Sequence, residues 1–137
     1  MNYGTFSVYT YVANAINANE ENENCYVTSR RERIPRAMPC VCLYELNRQR
    51  TQRYATLAND DNQYESTYEA QIYCDEINGS MLKAYEILGI VESAFKKLGY
   101  FETFCQPLDN MADASISRIL ARFNKQIGEG DEIPESN

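Results

Sequence analysis

The sequence predicts an α+β domain: a mainly antiparallel sheet of about four to five strands, an N-terminal helix, and a long helix packed on one face. Three observations carry this. Between Ser80 and Leu98 the residues Met81, Ala84, Tyr85, Leu88, Val91, Phe95 and Leu98 recur at steps of three and four, which places them on one stripe of a helix. Before that helix, Tyr64, Tyr68, Ala70, Ile72 and Cys74 alternate with Glu65, Thr67, Glu69, Gln71 and Tyr73, the period of a strand with one buried face. After it, Phe101 to Cys105 and Ser115 to Gln126 read as two further strands. A sheet must bury its apolar face, and the long helix is the cover available.

The elements follow in order. Residues Thr5 to Asn17 place Phe6, Tyr9, Val12, Ala13 and Ile16 on one helical stripe. The polar run Asn17 to Asn24, rich in Asn and Glu, ends that helix. Cys25, Tyr26 and Val27 suit a short strand; Pro35 and Pro39 then oppose helix and favour extended chain. Cys40 to Asn47 is short and rich in strand formers. The polar stretch Arg48 to Asn62 is a long hairpin loop or the overhang of two long strands, and it is expected to reach beyond the domain body. Ser80 suits the N-cap of the long helix, Lys96 and Lys97 suit its last turn, and Gly99 stops it. Residues 1–127 make one domain, and 128–137, acidic with Gly130 and Pro134, reads as a flexible tail.

With 137 residues, 44% of them hydrophobic, the chain can bury one core. Its net charge of −7 argues against general binding to nucleic acid or to an anionic membrane. That charge is uneven: Thr28 to Arg53 holds Arg30, Arg31, Arg33, Arg36, Arg48, Arg50 and Arg53 against Glu32 and Glu45, a local +5 that leaves −12 elsewhere. Such a chain could pair head to tail with its own copies, a pattern compatible with rings; the plainer alternative is a solvated loop. No apolar run is long enough to span a membrane, and the N-terminus lacks the basic and apolar regions of a signal peptide, so a cytosolic, reducing setting is expected. There the five Cys read as small buried hydrophobes, and Cys40 and Cys42 lack the second ligand pair of a zinc site.

In the last half of the chain a long helix ends in Leu98 and Gly99, a strand runs into a Gln106-Pro107 turn, Asn110 is followed by Asp113 and Ala114, and a last strand carries Ile116, Arg118 and Arg122. In this order of elements and motifs the chain resembles phage tail-terminator proteins, the siphophage family often labelled minor capsid or tail completion. Met38, Pro39 and Cys40 fit more loosely. The resemblance implies a virion protein of the phage neck, assembled in the host cytoplasm. It would form a ring, expected to be a hexamer, that caps the tail tube and offers the surface for head joining. The implied partners are further copies of the chain, the major tail tube protein and a head-tail connector or stopper; DNA would pass only in transit, with no membrane and no cofactor. Another neck component, such as a head-completion protein, or a small nucleic-acid-binding module are the alternatives.

Enzymatic chemistry finds no support. The chain has no His, which removes the usual base near neutral pH and His metal sites. No Gly-rich phosphate loop occurs, and the carboxylates read as solvated. Cys105, beside the expected turn, is the one thiol to test as a nucleophile, since a nucleophilic Cys needs a neighbour that lowers its pKa. Arg118 and Arg122 differ from the other cations. Four apart on a strand, they share a face opposite Ile119, Ala121 and Phe123, either as a solvated outer surface or as a subunit contact or channel lining. Together with Arg48, Arg50 and Arg53 they are the candidate interface or lumen residues.

Overall fold

A computed structural model describes residues 5–18, 25–31, 37–50, 64–77, 79–108 and 115–127. Its elements are α1 (Thr5–Asn17), β1 (Tyr26–Thr28), β2 (Cys40–Arg50), β3 (Tyr64–Asp75), α2 (Ser80–Lys97), β4 (Phe101–Leu108) and β5 (Ile116–Ile127). The strands form one five-stranded sheet in the order β1-β2-β3-β5-β4, parallel between β1 and β2 and antiparallel elsewhere. The expected α+β class is therefore what the chain adopts. β2 and β3 stay paired out to Arg50 and Tyr64, so part of the polar stretch after Asn47 is strand overhang. Residues 51–63, Asn110 with its Asp113-Ala114 pair, and the acidic tail lie outside the described residues.

Both helices cover the same face. Val8, Val12 and Ile16 of α1 and Ala84, Ile87, Leu88, Val91, Ala94 and Phe95 of α2 pack on Val41, Leu43, Tyr68, Ala70, Ile72, Ile119, Ala121 and Phe123 of the sheet. Their burial is the main driving term of the fold. Phe95 stacks on Phe123 at 4.3 Å and meets Tyr100 edge-on at 5.2 Å. Tyr9 ties α1 down, its hydroxyl donating to the Val27 carbonyl at 3.1 Å. The expected stripe on α2 was too narrow. Ile87 and Ala94 are buried as well, because α2 packs against α1 beside it as well as against the sheet, whereas Tyr85 is exposed.

The helix starts differently from expectation. Its N-cap is Gly79, with φ 110° and no side-chain cap, and Ser80 instead sets its hydroxyl 3.3 Å from that of Ser117. A Cβ on Gly79 would lie 2.7 Å from the Lys83 Cβ, so glycine is needed both for the backbone and for the space. At the other end Gly99 has φ 89°, and Lys125 of β5 donates to the last carbonyl, Leu98, at 2.8 Å.

Gln106 and Pro107 do not form a turn. Both belong to β4, opposite Leu120 and Ile119. Proline lacks the N–H for an interior ladder, but β4 is an edge strand, where one side of the backbone carries no such demand. Among the described residues no helix is long and apolar enough to cross a membrane.

Candidate functional site

The sheet face away from the helices is assembled from three rows of paired residues. Cys40, Tyr73, Arg118 and Leu108 lie across one row, Cys42, Gln71, Leu120 and Gln106 across the next, and Tyr44, Glu69, Arg122 and Phe104 across the third. Among the described residues no helix lies on it. An uncovered antiparallel face would ordinarily expose its polar residues, yet Glu69 is only 2% exposed and Gln71 3%. A buried carboxylate must be paired, and this one is.

Glu69 accepts from the Tyr44 hydroxyl, from Gln71 Nε2 at 3.1 Å and from Arg122 Nε at 3.0 Å. Arg31 reaches it at 3.7 Å and donates through Nε to the Tyr44 hydroxyl at 3.1 Å. Gln71 bridges the rows. Its Nε2 also donates to Tyr44 at 2.8 Å, while its Oε1 accepts from Tyr73 at 3.0 Å and from Arg118 Nε and a terminal nitrogen at 3.0 and 2.7 Å. Burial works to raise the Glu69 pKa, but the hydrogen bonds from Tyr44, Arg122 and Gln71 outweigh it and hold the carboxyl below its ordinary value. It stays ionised at neutral pH. Tyr44 and Tyr73 are pushed up by burial and stay neutral.

Each arginine is further fixed by an aromatic ring: Arg31 lies 5.3 Å from the Tyr44 centroid, Arg118 5.6 Å from Tyr73 and Arg122 5.4 Å from Phe104. Arg122 spends its Nε on Glu69, and its side chain keeps 42% of its surface exposed. The result is a row of guanidiniums held from beneath and offered outward. The expected pairing of Arg118 and Arg122 on one face is what the strand delivers, but neither is merely solvated.

The basic segment is brought in only in part. Arg31 joins the face, whereas Arg48 lies on the helix side and donates to Glu45 at 3.0 Å. Ser66 donates to the same carboxylate at 2.7 Å. A bulge between Glu45 and Asn47 puts residues 45 and 48 on one face, where strict alternation would separate them. The Arg50 side chain and all of Arg53 lie outside the described residues.

A second charged grouping sits on the helix side of β4. A bulge between Glu102 and Phe104 aligns Glu102 with Cys105 there, and Phe101 with Phe104 on the other face. Glu92 of α2 comes against the first pair, and the two carboxylates and the thiol lie within 4.8 Å of one another. Burial, then the hydrogen bond and charge of Glu92, raise Glu102 to about 7. Solvated carboxylates were expected; buried Glu69 corrects that reading, whereas Glu102 is exposed as expected and differs only in its raised pKa. Cys105 is exposed, and burial together with Glu102 and Glu92 raises its pKa, the reverse of what an activated nucleophile requires. The other four thiols are buried, with the Cys40 and Cys42 sulfurs 4.0 Å apart.

No protein-family model and no curated protein matches the chain.

Proposed function

We propose that this chain is a tail terminator of a siphophage: a structural virion protein that forms a ring, expected to be hexameric, on the end of the tail tube and presents the surface for head joining. The observation that carries the proposal is the arginine-bearing sheet face. Its buried Glu69 and Gln71 fix Arg118 and Arg122 in place while leaving them outward. That is the construction of a surface that acts by complementarity, because guanidiniums already immobilised lose less freedom when a partner arrives. The helix–strand–strand order α2-β4-β5, which carries Leu98, Gly99, Arg118 and Arg122, supports the same reading through the resemblance. The function is binding to neighbouring subunits, to the tube protein and to a connector or stopper, with DNA in transit.

One observation favours a second reading. Phe101 and Phe104 are exposed on the same face as the arginines, and a sheet that combines aromatic rings with cations can hold single-stranded nucleic acid. The net charge of −7 opposes it. Two measurements decide. Phage lacking this protein should make tails of uncontrolled length that stay unjoined to heads, seen by electron microscopy, and adding the purified chain should restore them. Normal tails without it would overturn the proposal. Salt-dependent binding to single-stranded DNA in place of any tail phenotype would establish the second reading.

A further inference from the structure

The geometry points to a head-to-tail contact between copies of this chain, in which Arg118 and Arg122 on the sheet face of one copy meet Glu92 and Glu102 at the α2–β4 edge of the next. It rests on the ring reading and names the surfaces that would build the ring.

Each half is incomplete alone. Glu92 of α2 and Glu102 of β4 hold their carboxylates within 4.8 Å of each other, and among the described residues no lysine or arginine forms an ion pair with either. Like charges at that distance repel when both are ionised, and the Glu92 charge adds to burial and to the Glu92 hydrogen bond in raising the Glu102 pKa. A guanidinium would relieve the repulsion with two oxygens to accept its forked donors. Opposite them, Arg122 has spent only its Nε within the described residues, and Arg118 its Nε and one terminal nitrogen. Outward N–H groups therefore remain on both.

Both patches have apolar neighbours to bury. Phe101 and Phe104 flank the arginines; Leu82, Tyr85 and Gly89 precede Glu92 on the exposed side of α2 at steps of three and four. No atom lies within 4 Å of a Cβ built on Gly89, so that side of the helix is open among the described residues.

The placement also decides the symmetry. The cations and the carboxylates lie on opposite faces of one sheet, so a copy that docks its arginines leaves its own carboxylates free for another. A two-fold contact needs one self-complementary patch, whereas this contact repeats in one direction and gives a closed ring or a filament.

The test is a charge exchange followed by sedimentation velocity at pH 8 in low salt. Glu102→Lys removes the repulsion with Glu92, so its melting temperature should not fall, while subunit association should weaken on the order of tenfold or more per contact. Arg118→Glu should weaken it similarly, and the Glu102→Lys/Arg118→Glu double variant should recover association because the pair is restored with its signs exchanged. Association of the wild type should also fall as pH drops below about 7, because Glu102 must lose a proton to pair, by at most about tenfold per pH unit for one proton. Cys105, Tyr44 and Tyr73 stay neutral and Glu69 stays ionised across that range, so the change reports Glu102. Oligomers indifferent to both single variants overturn this contact and leave the ring reading intact. A double variant that stays dissociated while folded overturns the pairing. A wild type that stays monomeric at high concentration overturns the contact too, and the tail phenotype then decides the terminator reading separately.

Discussion

Replacing Glu69 by Gln keeps its size and removes its charge at the centre of the arginine face. The carboxylate accepts from Tyr44, Gln71 and Arg122. An amide puts N–H groups where one of those donors already points, since the Tyr44 oxygen already accepts from Gln71 and Arg31. Hydrogen bonds to a charged group contribute about 1.5–3 kcal/mol and neutral ones about 0.5–1.5, so three weakened bonds amount to roughly 3 kcal/mol. The loss stays at the lower edge of the roughly 3–5 kcal/mol typical of a broken buried pair, because Arg31 and Arg122 reach water and are rehydrated. For 137 residues that corresponds to a melting temperature lower by roughly 8–15 °C at pH 7. The sign with pH is fixed. Because the folded pKa of Glu69 is depressed, its contribution is complete above the ordinary Glu value of about 4.3 and is lost as pH falls through the folded value. Thermal melts followed by circular dichroism should therefore show the wild type well above Glu69→Gln at pH 7, with the gap closing below about pH 4. Equal melting at pH 7, or a gap that widens on acidification, would refute the account of the network.

Two further outcomes check the rest of the fold. Leu88→Asp or Phe95→Asp buries a carboxylate with no partner between α2, α1 and the sheet, and either should abolish cooperative melting, a loss above about 4 kcal/mol; an unchanged melting curve would mean that α2 is not the core helix. In the native protein iodoacetamide should label Cys105 alone, and more slowly than a free thiol at pH 8, with Cys25, Cys40, Cys42 and Cys74 reacting only in denaturant. Two or more native labels by mass spectrometry would contradict the burial of those four.

What was legible in the sequence is what depends on apolar periodicity. The bounds of α1, the β3 alternation, the stop at Gly99 and the split of β5 into Arg118 and Arg122 against Ile119, Ala121 and Phe123 all follow from which side of an element must be dry. Gly79 was missed as the cap because a left-handed backbone with a crowded neighbour, and not a side-chain acceptor, decides the residue there. The two bulges were out of reach for a related reason. An inserted residue changes the face of everything after it without changing composition, so the meeting of Glu102 with Cys105 and of Glu45 with Arg48 cannot be read from alternation.

The buried state of Glu69 has the same origin and carries the larger consequence. Along β3 it occupies a polar position of the alternating pattern, and only the registers of β2 and β5 bring Tyr44 and Arg122 to either side of it. A single-strand view sees a solvated carboxylate; the three-strand row makes it the anchor of two arginines and a tyrosine. Anchoring has a cost, because a fixed guanidinium gives up side-chain freedom in the isolated subunit. Exposed charges that only keep a protein soluble need no such support, and surface pairs add little stability by themselves. Substituting Glu69 should thus lower stability and, by releasing Arg122, also weaken whatever that arginine meets, whereas Arg118→Gln removes no bond to Glu69 and leaves the Gln71 Oε1 accepting from Tyr73, so it should affect association more than melting.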